Sequence, residues 1–365
     1  MPFPRPLLLV LFVAALGAAF WRAPAPAPTG FTPPAKALAA LPASFVGEML
    51  WRDTSAVATA PSLSELPDGR IAAVWLAGTD DAMTVRLNVR DRDGWRQPLQ
   101  IASRESTAGG TFARIGQLAS PVIYAEGSWL HLWYGSSALG DSINHSVSTD
   151  GGKTWTQPAR LTTSPFANFG GQLRSPPLPL ADGGLGLSIG HDFIGRHGEW
   201  LRLSATGRII DKRRLSGTGG SAHPTSAVLD EQRAVTVLTA ADAMPAPIRI
   251  ATTADAGAHW QATEAPAITT PATPLAVLRL GSGRLLLAGN PATGRQSLLL
   301  WLSADEGKTW REARTVDTAA DGGADYTHPA LLLGRDGRIH LAYAWRQQGI
   351  KYVAFSEAWL DGGQP

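Results

Sequence analysis

"SVSTDGGKTW" runs from Ser146 to Trp155, and a near copy, "WLSADEGKTW", runs from Trp301 to Trp310. Their shared positions read Ser-x-Asp-x-Gly-x-Thr-Trp. Asp150 and Asp305 can accept hydrogen bonds from the N–H groups of their own turn, Gly152 and Gly307 can take positive φ, and Trp155 and Trp310 can bury the turn against a sheet. A degenerate copy, "TTADAGAHW", ends at Trp260, and "RDRDGW" ends at Trp95. The phrase predicts a recurring hairpin turn sealed by a tryptophan.

A second phrase recurs with a period of about 50 residues. A proline opens a short apolar strand, a Gly-type turn follows, and a second apolar strand completes a hairpin. The prolines are Pro61, Pro121, Pro177, Pro224, Pro274 and Pro329. The Asp-containing turn falls between the third and fourth strands of the first, second, fourth and fifth units. Six four-stranded units predict an all-β chain, a six-bladed β-propeller over residues 45–360. The sixth unit lacks a fourth strand after "IKYVAFSEAWL", and "SFVGEMLW" (Ser44–Trp51) can supply it, closing the ring and removing exposed edges. Helical periodicity is absent after residue 44.

Composition narrows the function classes. The 365 residues are 44% hydrophobic and 17% charged, with a net charge of +2 and no Lys/Arg run, so a nucleic-acid partner is not expected. The absence of cysteine excludes disulfides, thiolate metal sites, Cys nucleophiles and a lipid anchor at cysteine. The eight histidines show no HExxH or paired metal spacing, so no metal and no other cofactor is expected. Arg5 precedes the apolar run Leu7–Phe20, which is short for a membrane span, and residues 1–22 read as a signal peptide or membrane anchor. Residues 23–44 read as a Pro/Ala-rich, semi-rigid linker. An exported protein follows, periplasmic or tethered to the inner membrane and facing the periplasm.

The turn phrases at Ser148–Trp155 and Ser303–Trp310 resemble the Asp boxes of the sialidase superfamily of six-bladed propellers. The ending "ADYTHPALLLGRDGRIHLAYAWRQQGIKYVAF" is similar to the bacterial, neuraminidase-like branch of BNR-repeat proteins, and the similarity covers residues 45–359. Asp boxes speak to fold more than to activity. The resemblance implies a sialidase-like propeller and an exo-acting glycoside hydrolase that takes a terminal glycan residue in its central pocket. It further implies three arginines on the substrate carboxylate, a tyrosine nucleophile assisted by a glutamate, and an aspartate acid/base on a first-blade loop.

Residue by residue, Tyr326 stands at the nucleophile position, Arg295 at the third arginine, and Asp80 or Asp81 in the acid/base loop. The first arginine is replaced by Thr59, the second by Ala241 or Asp242, and the glutamate position is taken by His223. Inner strands of a propeller begin near its axis, so Thr59, Ser120, Arg174, His223, Thr273, Tyr326 and His328 are expected to line the pocket. Arg174, Arg295 and Arg346 are candidates for holding an anionic substituent. His191, Asp192, His223 and His328 can transfer protons or hydrogen-bond sugar hydroxyls. Trp129, Trp133, Trp200 and Trp345 can stack on sugars or plug blades. Two alternatives remain open: a non-catalytic glycan-binding propeller, and a hydrolase or polysaccharide lyase for a uronic acid or neutral sugar with His223, His328 and Tyr326 moving protons.

Overall fold

The computed structural model describes residues 5–20, 25–34, 40–79, 82–137, 141–163, 171–192, 195–241, 245–263, 268–319 and 325–363. Asp80, Asp81 and Asp242 lie outside the described residues.

Six antiparallel sheets form in chain order, each with its first strand innermost. The inner strands are Val57–Glu65, Gln117–Glu126, Gly171–Leu173, Ser221–Val228, Ala276–Arg279 and Tyr326–Leu333. A proline cannot donate to a β-ladder, so each repeat proline forces an interruption at one level of the ring. In blades 1, 2, 4 and 6 the register skips between Thr59 and Ser62, Ala119 and Val122, Ala222 and Thr225, and Thr327 and Ala330. The residue before each of these prolines takes positive φ: Ala60 at 52°, Ser120 at 36°, His223 at 55° and His328 at 54°. In blade 3 Pro176 and Pro177 split the inner strand into Gly171–Leu173 and Leu178–Pro179, and Arg174 sits in the gap. These interruptions free side chains at the axis from sheet alternation.

The Asp-box turns form as the sequence predicts. In blade 2, Asp150 Oδ1 accepts from the N–H groups of Lys153 and Thr154, both at 2.9 Å, and Asp150 Oδ2 accepts from Thr154 Oγ1 at 2.6 Å. Ser148 Oγ accepts from the Gly152 N–H at 2.9 Å, and Trp155 Nε1 donates to the Gly152 carbonyl at 3.1 Å. Ser303, Asp305, Gly307, Thr309 and Trp310 repeat this set in blade 5. Blade 4 keeps the geometry with other residues: Thr253 replaces the serine, and His259 Nδ1 pairs with Asp255 Oδ2 at 2.6 Å where threonine would.

The ring closes as expected: Phe45–Arg52 pairs antiparallel with Gly349–Phe355 as the outer strand of blade 6. Ser44 and Ser356 lock the joint, with the Ser44 N–H donating to Ser356 Oγ at 3.0 Å and the Ser356 N–H to the Ser44 carbonyl at 3.1 Å. Each of the six seams between neighbouring blades holds its own apolar cluster. Burial is thus spread around the ring, each blade stabilised by two neighbours.

Two expectations need correction. A helix, Arg104–Thr111, joins blades 1 and 2, and a short one, Glu357–Leu360, follows the last strand. The first begins in a capping box between Ser103 and Ser106, a start signal that a periodicity search misses in "RESTAGGT" because only Thr107 of the helix is buried. The second correction concerns the Pro/Ala linker, which does not run free as a spacer throughout. The Phe31 N–H donates to the Glu231 carbonyl at 2.7 Å and the Thr32 N–H to the Pro179 carbonyl at 2.8 Å. The Phe31 ring is 1% exposed and lies edge-on to Trp200 in the seam of blades 3 and 4. The apolar run forms a helix, Arg5–Phe20, whose described side chains are mostly exposed. Among the described residues no helix is long and apolar enough to cross a membrane.

Candidate functional site

Two of the bulged residues, His223 and His328, come together with Arg174. His328 Nδ1 lies 3.1 Å from Thr327 Oγ1 and 3.3 Å from Thr59 Oγ1, so blades 6 and 1 meet through this imidazole. Burial, reinforced by the positive charges of Arg174 and Arg295, pulls the His328 imidazole down to about 3. Burial together with Arg174, His328 and Arg196 pulls His223 well below its ordinary value, and the His223 Nδ1 is buried without a hydrogen-bond partner among the described residues. Arg174 is itself pulled down to about 10 by burial, which Asp141 and Asp192 only partly offset. Its buried Nε has no hydrogen-bond partner among the described residues. Two neutral imidazoles and three guanidinium groups therefore share one electrostatic neighbourhood.

The acidic groups nearby are engaged. Gln172 Nε2 donates to Asp141 Oδ2 and to Asp192 Oδ2, each at 2.9 Å, joining blades 2 and 3. Burial, with the like charge of Asp141, raises the Asp192 carboxyl. Arg295 is half exposed and donates to Asp325 Oδ2 at 3.3 Å, which also accepts from Gln347 Nε2 at 2.7 Å. Trp345 carries Arg52 and Arg346 over its ring at 5.1 and 5.2 Å. Arg346 is thus engaged through an aromatic contact.

Several residues fall elsewhere than expected. Tyr326 is 2% exposed, and its ring stands edge-on to Tyr343 at 6.3 Å among Leu298, Leu300 and Leu341 in the seam of blades 5 and 6. Sheet alternation explains this: Tyr326 and Thr327 pair regularly with Trp345 and Ala344, and only the next residue, His328, enters the bulge. The same shift makes Ala60, and not Thr59, the bulged residue of blade 1. Thr273 is buried against Asn290, its Oγ1 donating to Asn290 Oδ1 at 2.9 Å. Trp133 and Trp200 are 1% exposed and act as plugs, while Trp129 is 52% exposed.

His191 is joined by a group the sequence reading passed over. It lies directly across its hairpin from His197, the rings 4.6 Å apart, and both approach Glu199. Arg196, Gln172 and Asp141 were also passed over, because only cross-blade geometry connects them to the axis.

A profile of the BNR repeat-like domain family matches residues 69–341. No curated protein matches the chain in sequence. Among solved structures, a Hadza microbial sialidase, Hz136, is 14% identical with a TM-score of 0.70, over 86% of this chain and 68% of its own. A protein of unknown function from Dyadobacter fermentans is 14% identical with a TM-score of 0.68, over 85% of this chain and 97% of its own. The NanB sialidase of Streptococcus pneumoniae is 11% identical with a TM-score of 0.67, over 85% and 70%. Identities this low speak to fold alone.

Proposed function

The chain belongs to the BNR repeat-like domain family, and from that premise we propose that its axial pocket takes the acidic terminal residue of a glycan. The observation that carries this is the grouping of Arg174, Arg196 and Arg295 around His223 and His328, with no hydrogen-bond partner for the buried Arg174 Nε among the described residues. A buried guanidinium without a full set of acceptors is costly, and a carboxylate or sulfate offers the charge-assisted, bidentate partner it lacks. Neutral imidazoles beside it can donate to sugar hydroxyls without neutralising the anion.

Retention of the bound sugar is the reading the geometry favours, because the Tyr326 ring is 2% exposed. Exo-hydrolysis of sialidase type is the second reading. In its favour, the Tyr326 N–H donates to the Arg295 carbonyl at 3.0 Å, which ties its backbone to that of one of the grouped arginines. The structural neighbours Hz136 and NanB, both sialidases, agree with that activity. In this reading the Tyr326 hydroxyl loses its proton to water and attacks the anomeric carbon as the bond to the leaving oxygen breaks, and Asp80 or Asp81 protonates that oxygen. A water molecule then cleaves the glycosyl–tyrosine bond and restores the hydroxyl, while Arg174 and Arg295 hold the anion. A lyase reading is weaker, since an imidazole at about 3 is a poor base near neutral pH.

Calorimetry against a panel of oligosaccharides ending in sialic acid, uronic acid, sulfated or neutral sugars tests binding. Acid-terminated members should bind, and equal affinity for neutral ones would remove the proposal. Release of free monosaccharide from the same panel decides between the readings. If sugar is released through Tyr326, Tyr326→Phe should cost a thousandfold or more in rate, about 4 kcal/mol. The helix Arg5–Phe20 supports export to the periplasm or its membrane face, and recovery of the full-length chain from cytosol alone would overturn that.

A further inference from the structure

At the loop end of blade 3, three potential ligands occupy one face of a single hairpin. His191 ends the strand Leu185–His191, His197 opens the strand His197–Leu203, and the two are paired directly. Glu199, two residues beyond His197, projects from the same face. The donor atoms of His191, His197 and Glu199 all lie within 4.8 Å of one another. His197 Nε2 is 3.3 Å, and His191 Nδ1 3.9 Å, from Glu199 Oε1.

His197 Nδ1 lies 3.3 Å from the Gly195 carbonyl and Nε2 lies 3.3 Å from Glu199 Oε1, and both oxygens can only accept. A neutral imidazole carries one ring proton, so with that proton on Nδ1 the Nε2 lone pair faces the carboxylate and is available to a cation. His191 Nδ1 is buried without a hydrogen-bond partner among the described residues. Its distance to the carboxylate is too long for a hydrogen bond. Ligand atoms about 2.0–2.2 Å from a shared ion stand roughly 3–4 Å apart, and both separations to Glu199 Oε1 fall in that range. The Glu199 side chain is 8% exposed, and its second oxygen, Oε2, is paired with Lys212 Nζ at 2.9 Å. That pairing leaves Oε1 turned toward the histidines.

We propose that His191, His197 and Glu199 form a binding site for one divalent transition-metal ion of the zinc type. Two imidazoles and one carboxylate suit zinc and leave a fourth position open to water or ligand. The backbone carbonyl behind His197 and the ammonium behind Glu199 are the outer partners such sites require. The ion would brace the hairpin end that carries Asp192, which Gln172 ties to blade 2. Sequence spacing concealed the site, because ligand motifs are tabulated mostly for helices and loops, whereas strand pairing brings these three together.

Zinc titration of the EDTA-treated, tag-free full chain by calorimetry tests it. One equivalent should bind, and cobalt at the site should give the visible absorption of a low-coordinate ion. His197→Ala and Glu199→Gln should each weaken zinc binding at least about a hundredfold, whereas His259→Ala, in the blade 4 turn, should not change it. If His197→Ala fails to fold, Glu199→Gln and the cobalt spectrum carry the decision. Absence of stoichiometric zinc binding, or equal binding by Glu199→Gln, overturns the proposal.

Discussion

The Asp-box turns and the axial mouth are built from the same blades by opposite means. Each turn is a local circuit: in blade 2, Ser148, Asp150, Gly152, Thr154 and Trp155 satisfy one another within eight residues of chain. The mouth takes His328 from blade 6, Thr59 from blade 1, Arg174 from blade 3 and His223 from blade 4. A local circuit must be rewritten in each blade that uses it, and so leaves a repeat. An assembly of one residue per blade need not repeat at all. The ring thus conserves its rim by repetition and acquires its pocket by departures from repetition, such as histidine at two bulges where blades 1 and 2 have Ala60 and Ser120.

The largest effect that would sharpen this contrast lies in the turns. Gly152 has φ +91°, and an added Cβ would stand 2.4 Å from Leu87 Cδ2 in the seam of blades 1 and 2. Gly307 has φ +94°, but its nearest neighbours would be 3.5 Å away. Gly152→Ala should therefore lose about 3 kcal/mol or more from overpacking plus backbone strain, and Gly307→Ala about 1–2 kcal/mol from strain alone. Denaturant midpoints of the two variants measure this, and equal losses would show that the turn, not the seam behind it, sets the cost. Neither change should alter glycan affinity.

A smaller effect is expected at the mouth. Arg174→Gln removes one charge from the site and should weaken binding of an acid-terminated glycan by about 1.5–3 kcal/mol, roughly ten- to a hundredfold. Stability should hold or rise, because a partly unsatisfied buried cation is removed. A variant that loses stability but keeps affinity would reverse the roles assigned to rim and pocket.

The contrast also explains what could be read from sequence. The blade count, the closing strand Phe45–Arg52 and the place of each Asp box follow from repeats and turn chemistry, which are local. Arg174, His223 and His328 were reachable because they neighbour the repeat prolines. Tyr326 was expected at the pocket for the same reason, yet it precedes the bulge by two residues and keeps regular alternation, which turns its ring into the seam. Arg196, Gln172 and Glu199 carry no local mark, since their partners are brought in by strand pairing or by the neighbouring blade.

The subtlest effect concerns the imidazoles themselves. His223 and His328 are held below 6.5 first by burial and then by cations, Arg174 acting on both, Arg196 on His223 and Arg295 on His328. Because their folded values are depressed, the folded chain refuses protons that the unfolded chain accepts. Stability from these groups is therefore complete above pH 6.5 and is lost progressively as pH falls toward about 3. Arg174→Gln should raise both titration midpoints in histidine NMR spectra, by less than burial lowers them, and should soften the acid loss of stability. A bound anion should act in the same direction by favouring the imidazolium, so glycan binding at mildly acidic pH should take up protons, seen as a buffer-dependent calorimetric enthalpy. Proton release on binding, or midpoints unmoved by Arg174→Gln, would mean that the arginine does not face these rings, and the axial mouth would lose the feature that distinguishes it from the rim.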